Sequence, residues 1–138
     1  MIVLPSLFVA FLWSIQTIVQ KHTLNNLSRE ASFMIFSVVY ATLMLFFIGF
    51  NREIIAKDMK NITKPMILII VAATLLNFLG NFIYYKLLKH NGVSVVTSLT
   101  SVAPLFVAMM AYVVFGESLK MKQLLGIAAI TGGVYLIS

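Results

Sequence analysis

Residues 91–116 read NGVSVVTSLTSVAPLFVAMMAYVVFG, and this stretch carries no charged side chain. An α-helix rises about 1.5 Å per residue and the hydrocarbon core of a bilayer is about 30 Å thick, so the stretch can cross a membrane. Pro104 lies near its middle and removes one backbone donor, which leaves the carbonyl of Thr100 without its helical partner. We expect a kinked transmembrane helix with Pro104 as its hinge, in which the hydroxyls of Thr100 and Ser101 satisfy that carbonyl.

The first half of this stretch carries hydroxyl groups three or four residues apart, at Ser94, Thr97, Ser98 and Ser101. On a helix these side chains share one face. Two interpretations follow from that pattern. The face either joins two helices through hydrogen bonds or lines the path of a solute, and the second interpretation makes Ser98 and Ser101 candidate substrate-binding residues.

The whole chain is as apolar as this stretch. Its 138 residues are 61% hydrophobic and 10% charged, with a mean hydropathy of +1.02, which leaves too little polar surface for a soluble domain. The charges fall in short clusters between long apolar stretches. We therefore expect an all-α integral membrane protein, most simply of the cell membrane and forming a single domain over residues 1–138. The predicted transmembrane helices span about residues 2–20, 31–50, 65–86, 92–115 and 121–138.

Composition and charge argue against several other classes of protein. The ten Lys and Arg residues outnumber four Asp and Glu, but they lie in loops that suit anionic lipid headgroups, so we expect no nucleic-acid partner. The chain has no cysteine, and its two histidines, His22 and His90, lie apart in predicted loops. Because no carboxylate pair or activated nucleophile is present, we expect neither an enzyme nor a bound metal or cofactor. The first span lacks a cleavage signal and is read as retained.

Polar side chains inside the predicted spans are the remaining candidates for a site. Asn77 and Asn81 lie four residues apart in the third span, with Tyr84 nearly one turn further on. Carboxamides are costly in hydrocarbon, so this pair either clamps another helix or faces water in a cavity. In the first span, Trp13, Thr17 and Gln20 share a face that we expect to point inward. The candidate substrate-binding residues are Trp13, Thr17, Asn77, Asn81, Tyr84, Ser98 and Ser101.

The last span is rich in small residues, with Gly126, Ala129 and Gly133 on one side. Small residues let helix backbones approach closely, so this helix is a candidate packing or dimer face. The basic residues divide four against six between the two predicted membrane sides. That weak bias mildly favours a cytoplasmic N-terminus and permits insertion in both orientations, which predicts a homodimer that can be antiparallel.

The C-terminal part of the chain resembles the EamA-type half of the drug/metabolite transporter superfamily. The resemblance is clearest over residues 87–137, LLKHNGVSVVTSLTSVAPLFVAMMAYVVFGESLKMKQLLGIAAITGGVYLI. The similarity rests on the Ser-x-x-Pro-Leu-Phe motif that starts at Ser101, on a Gly-Glu turn at Gly116, and on a terminal Gly-rich helix. Leu12-Trp13-Ser14 is also similar to the first-span motif of that family. The resemblance covers the whole chain and implies one five-span half of a ten-span inverted-repeat transporter.

Together these features predict a membrane transporter, either a secondary carrier or an exporter, that works by alternating access as a dimer of five-span subunits. No Asp or Glu lies inside a predicted span, which disfavours proton coupling through a buried carboxylate and the binding of organic cations. A small neutral or zwitterionic metabolite fits better, or an anionic one if Lys86 takes part. The alternative is a non-transporting accessory or assembly subunit, which would use the same small-residue faces to bind another membrane protein.

Overall fold

A computed structural model describes residues 2–137 of the chain. These residues form seven α-helices and no strand, so the all-α prediction is confirmed. The helices are α1 (Val3–Asn26), α2 (Arg29–Phe50), α3 (Arg52–Met59), α4 (Lys64–His90), α5 (Val93–Thr100), α6 (Ala103–Phe115) and α7 (Met121–Ile137). They fall into two compact units, the first ending at Lys89 and the second beginning at His90.

Within the described residues, four segments are long and apolar enough to cross a membrane, and they overlap the first four predicted spans. They are α1, α2, α4 and the segment Val93–Phe115, which contains α5 and α6. The last apolar helix, α7, is shorter, with 17 residues. The membrane fold is therefore supported, while the total of five spans stays a prediction.

The helices of the first unit begin and end where local chemistry favours it. The hydroxyl of Ser28 accepts a hydrogen bond from the backbone N–H of Ala31 at 3.1 Å and so caps the start of α2. Pro65 lies in the first turn of α4, where a missing backbone donor costs nothing. The short helix α3 occupies the charged segment between the second and third predicted spans.

The packed core of the first unit lies at one end of its long helices. Buried side chains are found near the C-termini of α1 and α4 and at the N-terminus of α2. We call this region the closed end, defined by Gln20, Leu24, Ser32, Tyr85 and Leu88. Phe33 extends it with edge-to-face contacts to Phe78 and Tyr85, both at 5.3 Å between ring centroids. Elsewhere in these helices, between Ile2 and Lys89, the apolar side chains are mostly exposed, as suits contact with lipid.

The predicted kink in the second unit is a break between two helices. The backbone N–H of Ser101 donates to the carbonyls of Thr97 and Ser98, each at 3.1 Å, which ends α5. Pro104 then lies in the first turn of α6. A proline at that position loses no helical hydrogen bond, so starting a new helix costs less than bending a continuous one. The role of Pro104 as a hinge stays a prediction.

The hydroxyls near this break bind other carbonyls than the expected one. Thr100 Oγ1 lies 3.0 Å from the carbonyls of both Val96 and Thr97, and Ser101 Oγ donates to Thr97 at 2.8 Å. Each hydroxyl has one proton, and it is used within α5. The prediction that they satisfy the Thr100 carbonyl is therefore wrong.

The second unit turns between α6 and α7 at a glycine. Gly116 has a φ of 67°, in the left-handed region, and its N–H donates to the carbonyl of Tyr112 at 3.1 Å. Glycine takes this conformation without steric cost, which explains the Gly-Glu sequence at the end of the helix. At the start of α7, Gln123 Oε1 accepts a hydrogen bond from the Lys120 N–H at 2.8 Å. The helix then packs against α5 and α6.

Candidate functional site

A cavity of about 510 Å³ lies among α1, α2 and α4 of the first unit, and we call it the polar groove. None of the residues that line it carries a charge. The lining residues are Gln16, Gln20, Phe33, Phe36, Ser37, Val39, Tyr40, Leu43, Thr74, Asn77, Phe78, Asn81 and Tyr85. The groove therefore combines amide and hydroxyl groups with aromatic walls.

Both asparagines predicted from the third span line this groove. Asn81 Nδ2 donates to the side-chain Oδ1 of Asn77 and to its backbone carbonyl, each at 2.9 Å. This pairing satisfies part of the polar capacity of α4 within the helix itself. The side-chain amide Nδ2 of Asn77 and the side-chain oxygen Oδ1 of Asn81 take no part in these two hydrogen bonds. The pair therefore retains a donor and an acceptor on the groove.

Two glutamines of α1, Gln16 and Gln20, line the same groove. Neither is among the candidate substrate-binding residues predicted from the sequence, although Gln20 belongs to the face that the sequence predicts to point inward. Gln16 and Gln20 are four residues apart, the spacing that identified Asn77 and Asn81. Gln20 is 6% exposed, and its side chain lies beside the hydroxyl of Tyr85. Carboxamide pairs at this spacing inside an apolar span are therefore the signal that could have found all four residues.

Three other predicted residues of the first unit do not line the groove. Trp13 is 68% exposed, and Thr17 Oγ1 donates back to the carbonyl of Trp13 at 2.9 Å. Tyr84 is half-buried beside the groove-lining Tyr85. The structure thus brings Asn77 and Asn81 together on the groove and leaves Trp13, Thr17 and Tyr84 off its surface. Substrate-binding roles for all five stay predictions.

The predicted hydroxyl residues Ser98 and Ser101 lie in the second unit, where Ser98 is half-buried and Ser101 is exposed. Two cavities of about 380 and 620 Å³ in that unit are almost wholly apolar, and neither residue lines them. Their assignment to a substrate site also stays a prediction.

Hydroxyl groups on the groove act mainly as acceptors. Ser37 Oγ donates to the carbonyl of Phe33, and Thr74 Oγ1 donates to that of Ile70, each at 2.8 Å. A hydroxyl that donates to its own helix still offers lone pairs to a ligand. The free amide of Asn77 and the carboxamides of Gln16 and Gln20 complement them, so the groove can bind a small polar solute through several hydrogen bonds.

Charged side chains of the first unit lie outside the groove. Near its closed end, the Arg29 guanidinium sits 4.3 Å from the ring centroid of Phe82 and forms an ion pair with Glu30. Within residues 2–137 no three side chains of metal-binding type come together.

Comparison with known protein families decides the class of protein. The sequence model of the EamA-like transporter family matches residues 1–138. This chain belongs to the EamA-like transporter family. The resemblance of residues 87–137 is thereby confirmed, and the EamA-like chain is an integral membrane protein from a family of small-molecule transporters rather than enzymes. Comparisons with curated proteins and with solved structures found no match.

Proposed function

We propose that this EamA-like chain carries a small neutral or zwitterionic metabolite across the membrane, as a secondary carrier or exporter, and that the metabolite binds in the polar groove. One observation carries the proposal: four carboxamides from two helices line a single cavity, and none of the residues that line it is charged. Polar groups inside transmembrane segments are costly in lipid, and in a transporter their gathering around one cavity supports a solute path there. Aromatic rings in the same wall would hold the apolar part of the solute.

The charge of the groove supports a solute without net charge. Amide and hydroxyl groups provide dipoles, which replace the hydration of polar groups but do not balance a net charge at low dielectric, and the two charges of a zwitterion offset each other. An anionic solute would depend on Lys86, which is exposed and does not line the groove. Neutral and zwitterionic compounds are therefore the better-supported classes.

We further propose that two copies of the chain, each crossing the membrane five times, form the transporting unit. At about 1.5 Å per residue, the 17 residues of α7 extend about 25 Å, near the lower limit for a transmembrane helix. The resemblance to one half of an inverted-repeat transporter supports an antiparallel pair that works by alternating access. The weak charge bias of four basic residues against six is compatible with both orientations.

A thermal-unfolding screen tests the proposed solute class. Purified full-length protein is heated with panels of neutral, zwitterionic, anionic and cationic metabolites, and a ligand of the folded state raises the midpoint. We expect at least one neutral or zwitterionic compound to raise the unfolding midpoint of the parent protein but not that of the double variant Asn77→Leu/Asn81→Leu. The control Asn61→Leu changes an exposed residue outside the groove and should keep the shift. A response to cations alone, or equal shifts in both variants, would contradict the proposal.

A further inference from the structure

Two lysines connect the ends of α1 and α4 in a reciprocal way. Lys21 Nζ of α1 donates to the carbonyls of Leu88 at 2.5 Å and Lys89 at 3.4 Å, near the end of α4. Lys89 Nζ donates in return to the carbonyl of Leu27 at 2.8 Å, the residue that caps α1. The last carbonyls of a helix lack helical partners and carry partial negative charge, so each ammonium group stabilises the end of the other helix.

This pair of lysines, which we call the lysine latch, lies over the closed end. Leu88 is 0% exposed and Leu24 is 3% exposed, and both are within three residues of a lysine of the latch. Gln20 and Tyr85 belong to the closed end and also line the polar groove. The groove therefore reaches the closed end directly. Among residues 2–89, the buried side chains are confined to this region.

We propose that the lysine latch is a gate, which seals one end of the polar groove and opens during the transport cycle. The inference rests on the proposed function, because alternating access requires that a seal on each side forms and breaks in turn. Ammonium-to-carbonyl hydrogen bonds near the membrane surface suit that role. When they break, both partners gain hydrogen bonds from water, so the net cost of opening is small compared with that of a buried ion pair.

A buried hydroxyl at the closed end also favours reversible opening. Ser32 is 1% exposed, and its Oγ has no hydrogen-bond partner within the described part of the chain. A buried polar atom without a partner destabilises the arrangement that buries it. Opening the closed end would expose this hydroxyl to water, which offsets part of the cost of breaking the latch.

Cysteine labelling measures this opening without any substrate. The sequence has no cysteine, so Ser32→Cys places a single thiol at the closed end of the full-length protein. Its reaction rate with a small charged methanethiosulfonate is measured in lipid nanodiscs. Adding Lys21→Met and Lys89→Met together, which keep the chain length but remove the donors, should raise the rate at least about tenfold, since the loss of one charged hydrogen bond already accounts for about that factor. Each single Lys→Met change should give a smaller rise.

Two controls separate the gate from a general effect of charge or folding. Lys86→Met removes an exposed lysine three residues from Lys89 on the same helix and should leave the labelling rate unchanged. Lys89→Arg keeps a cationic donor and should label close to the parent rate. An unchanged rate in both Lys21→Met and Lys89→Met, or an equal rise in Lys86→Met, would overturn the gate. If the Lys→Met variants label faster than the parent but no neutral or zwitterionic metabolite raises the unfolding midpoint, the gate is supported and the proposed solute class is wrong.

Discussion

Asn81 donates a hydrogen bond from its side chain to the side chain of Asn77, one turn earlier on α4, at 2.9 Å. The two residues thereby act as one polar unit on the wall of the groove, which α1 lines with its two glutamines. Because the pair is already partly satisfied within its helix, it does not need a protein partner on every polar atom. That arrangement leaves donor and acceptor groups for a solute.

Substituting one groove residue and one residue off the groove tests where the site lies. Gln20→Leu keeps a side chain of similar size but removes a carboxamide beside Tyr85, so the ligand-induced rise in the unfolding midpoint should be lost. Thr17→Val, at a position that the sequence predicted and the groove does not include, should retain most of it. The reverse result would place the solute on the face of α1 that carries Thr17.

The glycine at the end of α6 provides a test of the second unit. Gly116→Ala should lower the free energy of unfolding by about 1 kcal/mol, because alanine is disfavoured at positive φ. Beyond its chain neighbours, a methyl group added at Gly116 would have no heavy atom within 4 Å, so the cost comes from the backbone alone. Gly49→Ala has the same free space within α2 and should be neutral or stabilising. Equal midpoints of chemical unfolding for the two variants would contradict this account of the turn.

Orientation in the membrane can be measured with two exposed asparagines of the first unit. Asn26 lies at the end of α1, and Asn61 lies in the segment between α3 and α4. If the chain inserts both ways, Asn26→Cys and Asn61→Cys should each be labelled from both sides of the membrane by an impermeant reagent, applied to intact cells and to inverted vesicles. Labelling of each residue from one side only, in every molecule, would exclude the antiparallel dimer.

Much of the membrane fold follows from the positions of charged residues. The clusters around Arg29, Lys64 and His90 interrupt apolar stretches whose lengths match the hydrocarbon core, so the first four spans could be predicted without any tertiary information. The break after Thr100 could not. Whether a proline bends a helix or starts a new one depends on the backbone hydrogen bonds around it. Here the Ser101 N–H bonds to the carbonyls of Thr97 and Ser98 and ends α5, and Pro104 lies in the first turn of α6.

The candidate site residues chosen from the sequence include both groove-lining asparagines of α4, but on α1 they are Trp13 and Thr17, not the two glutamines that line the groove. Consecutive residues on a helix point about 100° apart, so Gln16 and Thr17 lie on different faces. Both faces of α1 carry polar side chains near its C-terminal half. The carboxamide spacing of Gln16 and Gln20 was the available signal, and the packing of α1 against α2 and α4 shows that their face meets the groove. On α4, Asn77 and Asn81 lie on one face of an otherwise apolar stretch, so the sequence indicated a single polar face.

Solute uptake by the double variant Asn77→Leu/Asn81→Leu tests the central claim most directly. The compound that gives the largest rise in unfolding midpoint is radiolabelled and offered to proteoliposomes that contain parent or variant protein. If the groove carries the solute, the variant should lose at least about tenfold in uptake, since the hydrogen bonds of both carboxamides are removed. Its midpoint without ligand should stay near that of the parent. Uptake at the parental rate would contradict the account and assign the asparagine pair to helix structure alone.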